Sequence, residues 1–315
     1  MGLFTVLVSE TPDKKRGPAA LWQRLFPPAP HLELCRTLDV PWRLVRAPLG
    51  RRGINWAAVA ELAGRHRGRL AMAPQLQPPA GGPVAAFQPL AYQRIMAARA
   101  LNAALQRLPG PPAAVGVIDP EGCCHQAVEL LLERAACVMV YTRAPGRYEW
   151  FARRLLEQKG AAVVLCRAPA AMDCCAAVLL GGLCPGWRDF VPPGCVVAGA
   201  YRPDGPAGAA AAWGFAPRLP RRLQYQVPPG VPAGVLLPAL YELSARRELA
   251  ALPPAVCVLG GREAELEEFI SLAENSPAFL RVGGPSPLDT GGLSGYNNNI
   301  MDRFPQAEAP DGDLP

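Results

Sequence analysis

Asp119 and Glu121 follow directly on the apolar run Ala114–Ile118, in the turn Asp119-Pro120-Glu121-Gly122, and a helical stretch begins at Cys124. Strand, tight turn and helix in that order open a nucleotide-binding βαβ unit. There, three glycines in GxGxxG register let bare backbone approach a pyrophosphate. In this chain the three glycine positions fall on Asp119, Glu121 and Cys124. Two carboxylates thus stand where phosphates would lie. Unit charges about 4 Å apart interact by ~4 kcal/mol at an effective dielectric near 20. A helix N-terminus contributes ~1–2 kcal/mol at best to holding an anion.

Three chemistries are open to such a turn. Asp119 can cap the following helix, with Pro120 at its first position. The two acids can hold Mg²⁺, which in turn would hold a phosphate. Haloacid phosphatases, however, want Asp-x-Asp and a following threonine, neither of which is present. Or an unusual turn still accepts a dinucleotide. In that last case Thr142, roughly 20 residues after the turn, lies at the distance expected for the end of the second strand. Gly181-Gly182 would then lie against the nicotinamide ribose, although glycines there also suit a tight turn. His125 sits one turn into the helix and reads as a surface or capping residue. Cys123 and Cys124 lie at a helix start, where a thiolate is stabilised, but no base accompanies them. Gly260-Gly261 is a strand-to-helix turn without the lysine of a P-loop. Tyr241 and Glu242 lie on a helix that could face a cleft.

Positioning these residues requires a particular set of elements. Leu3–Val8, Leu32–Leu38, Trp42–Val45 and Arg69–Ala73 read as strands, and Asn55 caps a helix over Trp56–His66. After the Pro- and Gly-rich stretch Pro74–Pro89, residues 90–108 form a long helix ended by Pro109-Gly110-Pro111-Pro112. We read residues 1–108 as an N-terminal α/β domain whose helix 90–108 bridges to a second domain, 109–202. In that second domain Ala114–Ile118, Cys137–Tyr141, Ala161–Cys166, Ala176–Leu180 and Cys195–Ala198 are apolar strands. Helices over Cys124–Ala136 and Gly146–Lys159 separate the first three. This predicts a doubly wound parallel sheet covered on both faces. Residues 203–280 read as a linker (Pro203–Pro220) followed by helices that pack back. These are Leu236–Ala251 and, after the strand Ala255–Leu259, Glu263–Glu274. The tail, 281–315, carries two arginines against five acidic residues and is expected to be disordered.

This layout resembles the two-domain dehydrogenases of the shikimate dehydrogenase and glutamyl-tRNA reductase kind over about residues 90–200. In those, an N-terminal substrate domain joins a Rossmann domain through a long helix. The resemblance implies NADP as cofactor and Asp119, Glu121, Gly122, Thr142, Arg143, Arg147, Gly181 and Gly182 as its neighbours. The glycine turn departs from the family pattern, and residues 1–108 show no Lys–Asp pair at the family's catalytic spacing. The chain also resembles uncharacterised clostridial proteins with the same strand-Asp-Pro pattern.

Composition narrows the partners. The 315 residues carry a net charge of +6, but only three of 32 basic residues are lysine (Lys14, Lys15, Lys159). That reflects arginine-rich surface more than a nucleic-acid site. The densest basic stretch, Arg43–Arg69, lacks the aromatic residues of a base-stacking platform. No apolar run is long enough to span a membrane. Ten cysteines without CxxC spacing or an export signal imply reduced thiols and a cytoplasmic location. Adjacent pairs such as Cys174-Cys175 rarely chelate one metal together, so no metal site is expected. The reading that joins these features is a non-catalytic Rossmann-like binding or regulatory scaffold with a degenerate nucleotide site. Its partner would be a small anionic ligand or another protein. An NADP-dependent oxidoreductase and a Mg²⁺-dependent phosphate-handling enzyme are the alternatives.

Overall fold

Two β-sheets carry the chain. In the computed structural model the described residues are 4–10, 29–50, 53–73, 76–108, 110, 112, 114–166, 172, 174–186, 191, 194–202, 211–277 and 279. The first sheet holds β1 (Thr5–Glu10), β2 (His31–Thr37), β3 (Val40–Pro48) and β4 (Leu70–Met72). Its order is β2-β3-β1-β4; β1 runs parallel to β3 and β4, and β2 pairs antiparallel with β3. The hairpin turns through Leu38 and Asp39, both at positive φ (50° and 60°), which matches the twist of the flanking strands. Helix α1 (Trp56–Ala63) starts at Asn55, whose side chain accepts the Ala58 N–H at 3.2 Å.

The second sheet holds β5 (Val115–Ile118), β6 (Cys137–Tyr141), β7 (Ala162–Cys166), β8 (Ala177–Leu180), β9 (Val196–Gly199), β10 (Ala211–Ala216), β11 (Val256–Leu259) and β12 (Arg262–Glu265). The order is β12-β11-β10-β9-β8-β5-β6-β7. Strands β5 to β10 are all parallel, and β11 and β12 are added antiparallel. Counted from β5, the six parallel strands lie in the order 3-2-1-4-5-6 of a doubly wound nucleotide-binding sheet.

Helices α2 (Leu90–Leu105), α3 (His125–Leu131), α4 (Gly146–Lys159), α5 (Arg221–Gln224), α6 (Ala233–Leu243) and α7 (Leu266–Glu274) complete the chain. Their buried residues join Val117, Val140, Leu179 and Ala198 in one core. That core is continuous with Val6, Trp42 and Leu70 of the small sheet. The opposite face, with Ile118, Val178, Leu180 and Val197, packs instead against Met172, Cys175, Cys184 and Cys195, which lie outside these helices.

Several expectations change. Helix α2 does more than bridge: it lies across β8, β9 and β10 and against α3, α6 and α7, with most of its residues buried. The stretch read as a linker contains β10. Its Ala-Ala-Trp-Gly-Phe-Ala sequence looks like low-complexity spacer, yet Ala212 and Phe215 are buried in the helix-covered core, and small residues allow a helix to approach closely. Gly260-Gly261 is not a strand-to-helix turn. Both residues have positive φ (59° and 86°) and close a two-residue hairpin between β11 and β12. The helix expected over Leu236–Ala251 stops at Leu243, because Ala245 takes a positive φ of 57°; a short 3-10 turn, Arg247–Ala251, follows. The tail 281–315 lies outside the described residues. No described helix is long and apolar enough to cross a membrane.

Candidate functional site

Asp119 leaves β5 at the carboxyl edge of the large sheet and is completely buried. Its Oδ2 accepts the backbone N–H groups of Cys123 (2.6 Å) and Cys124 (2.8 Å) and the hydroxyl of Tyr148 (2.6 Å). These amides lie just before the helix that follows the turn, close to where a nucleotide-binding domain offers helix N-terminal amides to a phosphate. Here the chain's own carboxylate takes them. The capping expected of Asp119 is present in a modified form. Pro120 lies in a four-residue turn closed by Gly122 N–H to the Asp119 carbonyl (3.2 Å), and α3 begins only at His125. Oδ1 of Asp119 has no hydrogen-bond partner among the described residues.

Neighbouring elements close over this turn. Gly122 sits at φ +70°, and a Cβ there would lie 2.9 Å from Arg147 Cδ. Arg147 donates to the Glu121 carbonyl (2.7 Å) and approaches Cys123 Sγ (3.6 Å). His125 Nε2 lies 2.8 Å from the Arg147 carbonyl oxygen, and its ring stacks on Tyr148 at 4.4 Å. His125 is thereby a brace between α3 and α4. The Gly181-Gly182 pair after β8 donates both N–H groups to the Ile118 carbonyl (2.9 and 3.2 Å). A Cβ on Gly181 would lie 2.1 Å from Cys124 Sγ, and one on Gly182 would lie 2.9 Å from Pro120 Cδ. These glycines therefore permit tight contact with the acidic turn. Thr142 is buried, its Oγ1 accepting the Ala144 N–H at 3.1 Å, and Arg143 N–H donates to the Pro120 carbonyl at 3.2 Å. All eight sequence-selected residues thus meet at one sheet edge.

Two partners escaped the sequence reading. Arg94, buried on α2, donates from Nε to the Gly181 carbonyl (2.6 Å) and from a terminal nitrogen to Glu121 Oε2 (3.4 Å). Burial opposes its charge, but Cys124, Asp119, Cys123 and Glu121 outweigh that and raise its pKa. Tyr148, on α4, is the second: its hydroxyl donates to Asp119, and burial first, then Cys124 and Asp119, push its phenol up. The available signal for Arg94 was a lone arginine on an otherwise apolar helix side. Cys124 is no thiolate: burial, then the Asp119 charge, push its thiol well up.

A second helix start repeats the pattern. Glu242 on α6 accepts the Tyr92 N–H in the first turn of α2 at 2.8 Å. Burial raises its carboxyl pKa, against the amides of Tyr92 and Ala91 and the charges of Arg247 and Arg94. Next to it, Tyr241 donates to Gln126 Oε1 (3.2 Å) and lies under Arg247 (4.6 Å to the ring centroid).

The residues present do not fit a dinucleotide phosphate. It would have to displace a buried carboxylate from three donors and sit beside Glu121. Nor do they fit Mg²⁺. Donors fill Asp119 Oδ2 and leave only its Oδ1, Glu121 faces Arg94, and among the described residues no group of three His, Cys, Asp or Glu has the arrangement of a metal site.

Strand order and turn together define an α/β protein of Rossmann type whose phosphate turn carries an internal carboxylate. No protein-family model matches the chain, and no curated protein matches it. Among solved structures, the chain is similar to L-tryptophan dehydrogenase from Nostoc punctiforme, with 13% identity, TM-score 0.32 and 89% of each chain covered. It is also similar to quinate dehydrogenase from Corynebacterium glutamicum in complex with NAD, with 12% identity, TM-score 0.30, and 86% of this chain and 98% of that one covered. A third is Thermococcus litoralis Delta(1)-pyrroline-2-carboxylate reductase in complex with NADH and L-proline, with 14% identity, TM-score 0.25 and 33% of this chain covered. The match spans 36% of that reductase's length. These overlaps are loose, and the class rests on this chain's own strand order.

Proposed function

We propose that this protein is a non-catalytic binding or regulatory scaffold of Rossmann type, with its nucleotide seat filled by its own Asp119. One observation carries the reading: Asp119 Oδ2 already accepts the Cys123 and Cys124 amides and the Tyr148 hydroxyl. A filled, buried seat leaves no anion site at the sheet edge, so the proposed partner is another protein. The test is thermal unfolding with NADP, NAD, ATP, S-adenosylmethionine and Mg²⁺, singly and with the metal added. A ligand at 100 times its dissociation constant adds ~2.7 kcal/mol, a shift of a few degrees for a chain of this size. The expected result is no shift with any of them.

A second reading, an NADP-dependent oxidoreductase, draws on the nearness of Thr142, Arg143 and Arg147 to the turn. It requires a shift with NADP, and an Arg143→Ala variant whose NADP affinity falls at least tenfold while NAD binding is unchanged.

A further inference from the structure

The face of the large sheet opposite the described helices is rich in sulfur, and two of the sulfurs press against one glycine. Gly116, in the middle of β5, is closely packed: a Cβ there would lie 3.0 Å from Val178 Cγ2, 3.2 Å from Met172 Sδ and 3.4 Å from Cys175 Sγ. A glycine inside a strand marks such a close approach. Met139 is its paired residue on β6. Met139 Sδ lies 3.5 Å from Cys174 Sγ and 3.8 Å from Cys175 Sγ. Cys175 is buried and Cys174 is exposed, so the cluster reaches from the core to solvent. Burial raises the Cys137 and Cys166 thiols, and Cys174 is near enough to add to both.

Thiols and thioethers are weak hydrogen-bond partners, so mutual contact does little for three sulfurs. Their spacing has another use. In a trigonal site with metal–sulfur bonds of ~2.3 Å, as for a first-row thiolate, the sulfurs stand ~4.0 Å apart. The two separations from Met139 Sδ, 3.5 and 3.8 Å, are close to that. Thiolate and thioether donors together select soft Cu(I) over hard Mg²⁺ or Ca²⁺, and structural Zn²⁺ takes four donors in a tetrahedron. Two adjacent cysteines seldom chelate alone; here the third donor comes from β6, separated by β5 from the strand that the cysteines precede. Among the described residues no group of three His, Cys, Asp or Glu has the arrangement of a metal site, so the methionine is what completes this one.

We propose that Cys174, Cys175 and Met139 form a binding site for a soft monovalent metal cation, Cu(I), beside Gly116. The site lies on the other face of the sheet from the Asp119 turn and does not depend on how that turn is read.

The test is an anaerobic titration of the reduced protein with Cu(I) held by bicinchoninate, following loss of the coloured chelate. Wild type should withdraw one equivalent. Met139→Leu, nearly isosteric, should bind at least tenfold more weakly, and the Cys174→Ser/Cys175→Ser double variant at least 100-fold more weakly. Equal withdrawal by wild type and the double variant would place the copper on other cysteines and overturn the proposal, as would an unchanged affinity in Met139→Leu. Should the double variant not fold, X-ray absorption of the Cu(I)-loaded wild type decides. Three sulfur neighbours are expected, and a shell of nitrogen or oxygen overturns the site. Excess Zn²⁺ should not displace the copper; displacement would refute its softness.

Discussion

Removing the Asp119 carboxylate should expose how strongly the turn depends on it. In Asp119→Ala, the N–H groups of Cys123 and Cys124 and the Tyr148 hydroxyl lose their common acceptor, and the buried cation Arg94 loses a neighbouring charge. Each hydrogen bond to a charged group is worth ~1.5–3 kcal/mol. Three on one atom do not add fully, and stripping one partner from a buried charged network costs ~3–5 kcal/mol. We therefore expect Asp119→Ala to lose about 3–5 kcal/mol. Asp119→Asn, which keeps a carbonyl oxygen but no charge, should lose about half as much. Urea denaturation measures both, with m unchanged because the surface exposed on unfolding is the same. Asp119→Gly adds a sharper readout. It leaves the seat for an external carboxylate, so acetate or formate should stabilise that variant and leave wild type unaffected. A loss under 1 kcal/mol in Asp119→Ala, or equal response of wild type and Asp119→Gly to acetate, would refute an anion seat filled from within.

Further outcomes follow from the same contacts. Gly181→Ala forces a Cβ to within 2.1 Å of Cys124 Sγ and should cost ~1–3 kcal/mol as overpacking. In a Cys124→Ala background the cost should fall, giving a coupling above ~0.5 kcal/mol in a double-mutant cycle; additivity would show that the two do not collide. Glu242 has a raised carboxyl pKa, so its protonated form is favoured in the fold. Its contribution is fully present below the unfolded value of ~4.3 and is lost as pH rises through the folded one. Glu242→Gln keeps an oxygen for the Tyr92 N–H and removes the titration. Wild type should therefore lose stability relative to this variant as pH rises from about 4 towards neutrality, and parallel urea curves across that range would count against the burial of Glu242. Arg94→Met should destabilise the chain by about 3 kcal/mol or more, because Asp119 is left buried without a cation; an unaffected urea midpoint would mean that Arg94 is not part of the turn.

Local chemistry made much of this molecule legible. The apolar runs of β5, β6 and β8 could be read from the residues because parallel strands buried on both faces carry unbroken hydrophobic stretches. Asn55 showed its helix start, and the departure from GxGxxG located the acidic turn, since both signals lie within a few consecutive residues. Elements whose identity depends on distant partners could not be read this way. Ala211–Ala216 became a strand because β9 and β11 flank it and core residues cover it; its own residues resemble a spacer. Gly260-Gly261 became a hairpin because β11 had an antiparallel neighbour to receive.

At the site itself, the sequence determined which charges enter the turn: Asp119 and Glu121 in place of two glycines. Only the tertiary structure decided what those charges do. Arg94 is 25 residues before Asp119 in the chain and Tyr148 is 29 after it, and both reach the turn through helix packing. The meeting of Met139 with Cys174 and Cys175 likewise depends on strand register and on the close packing that Gly116 permits. A carboxylate next to helix amides attracts whichever anion or cation the fold leaves room for, and that room is a property of packing, set by contacts no local pattern encodes.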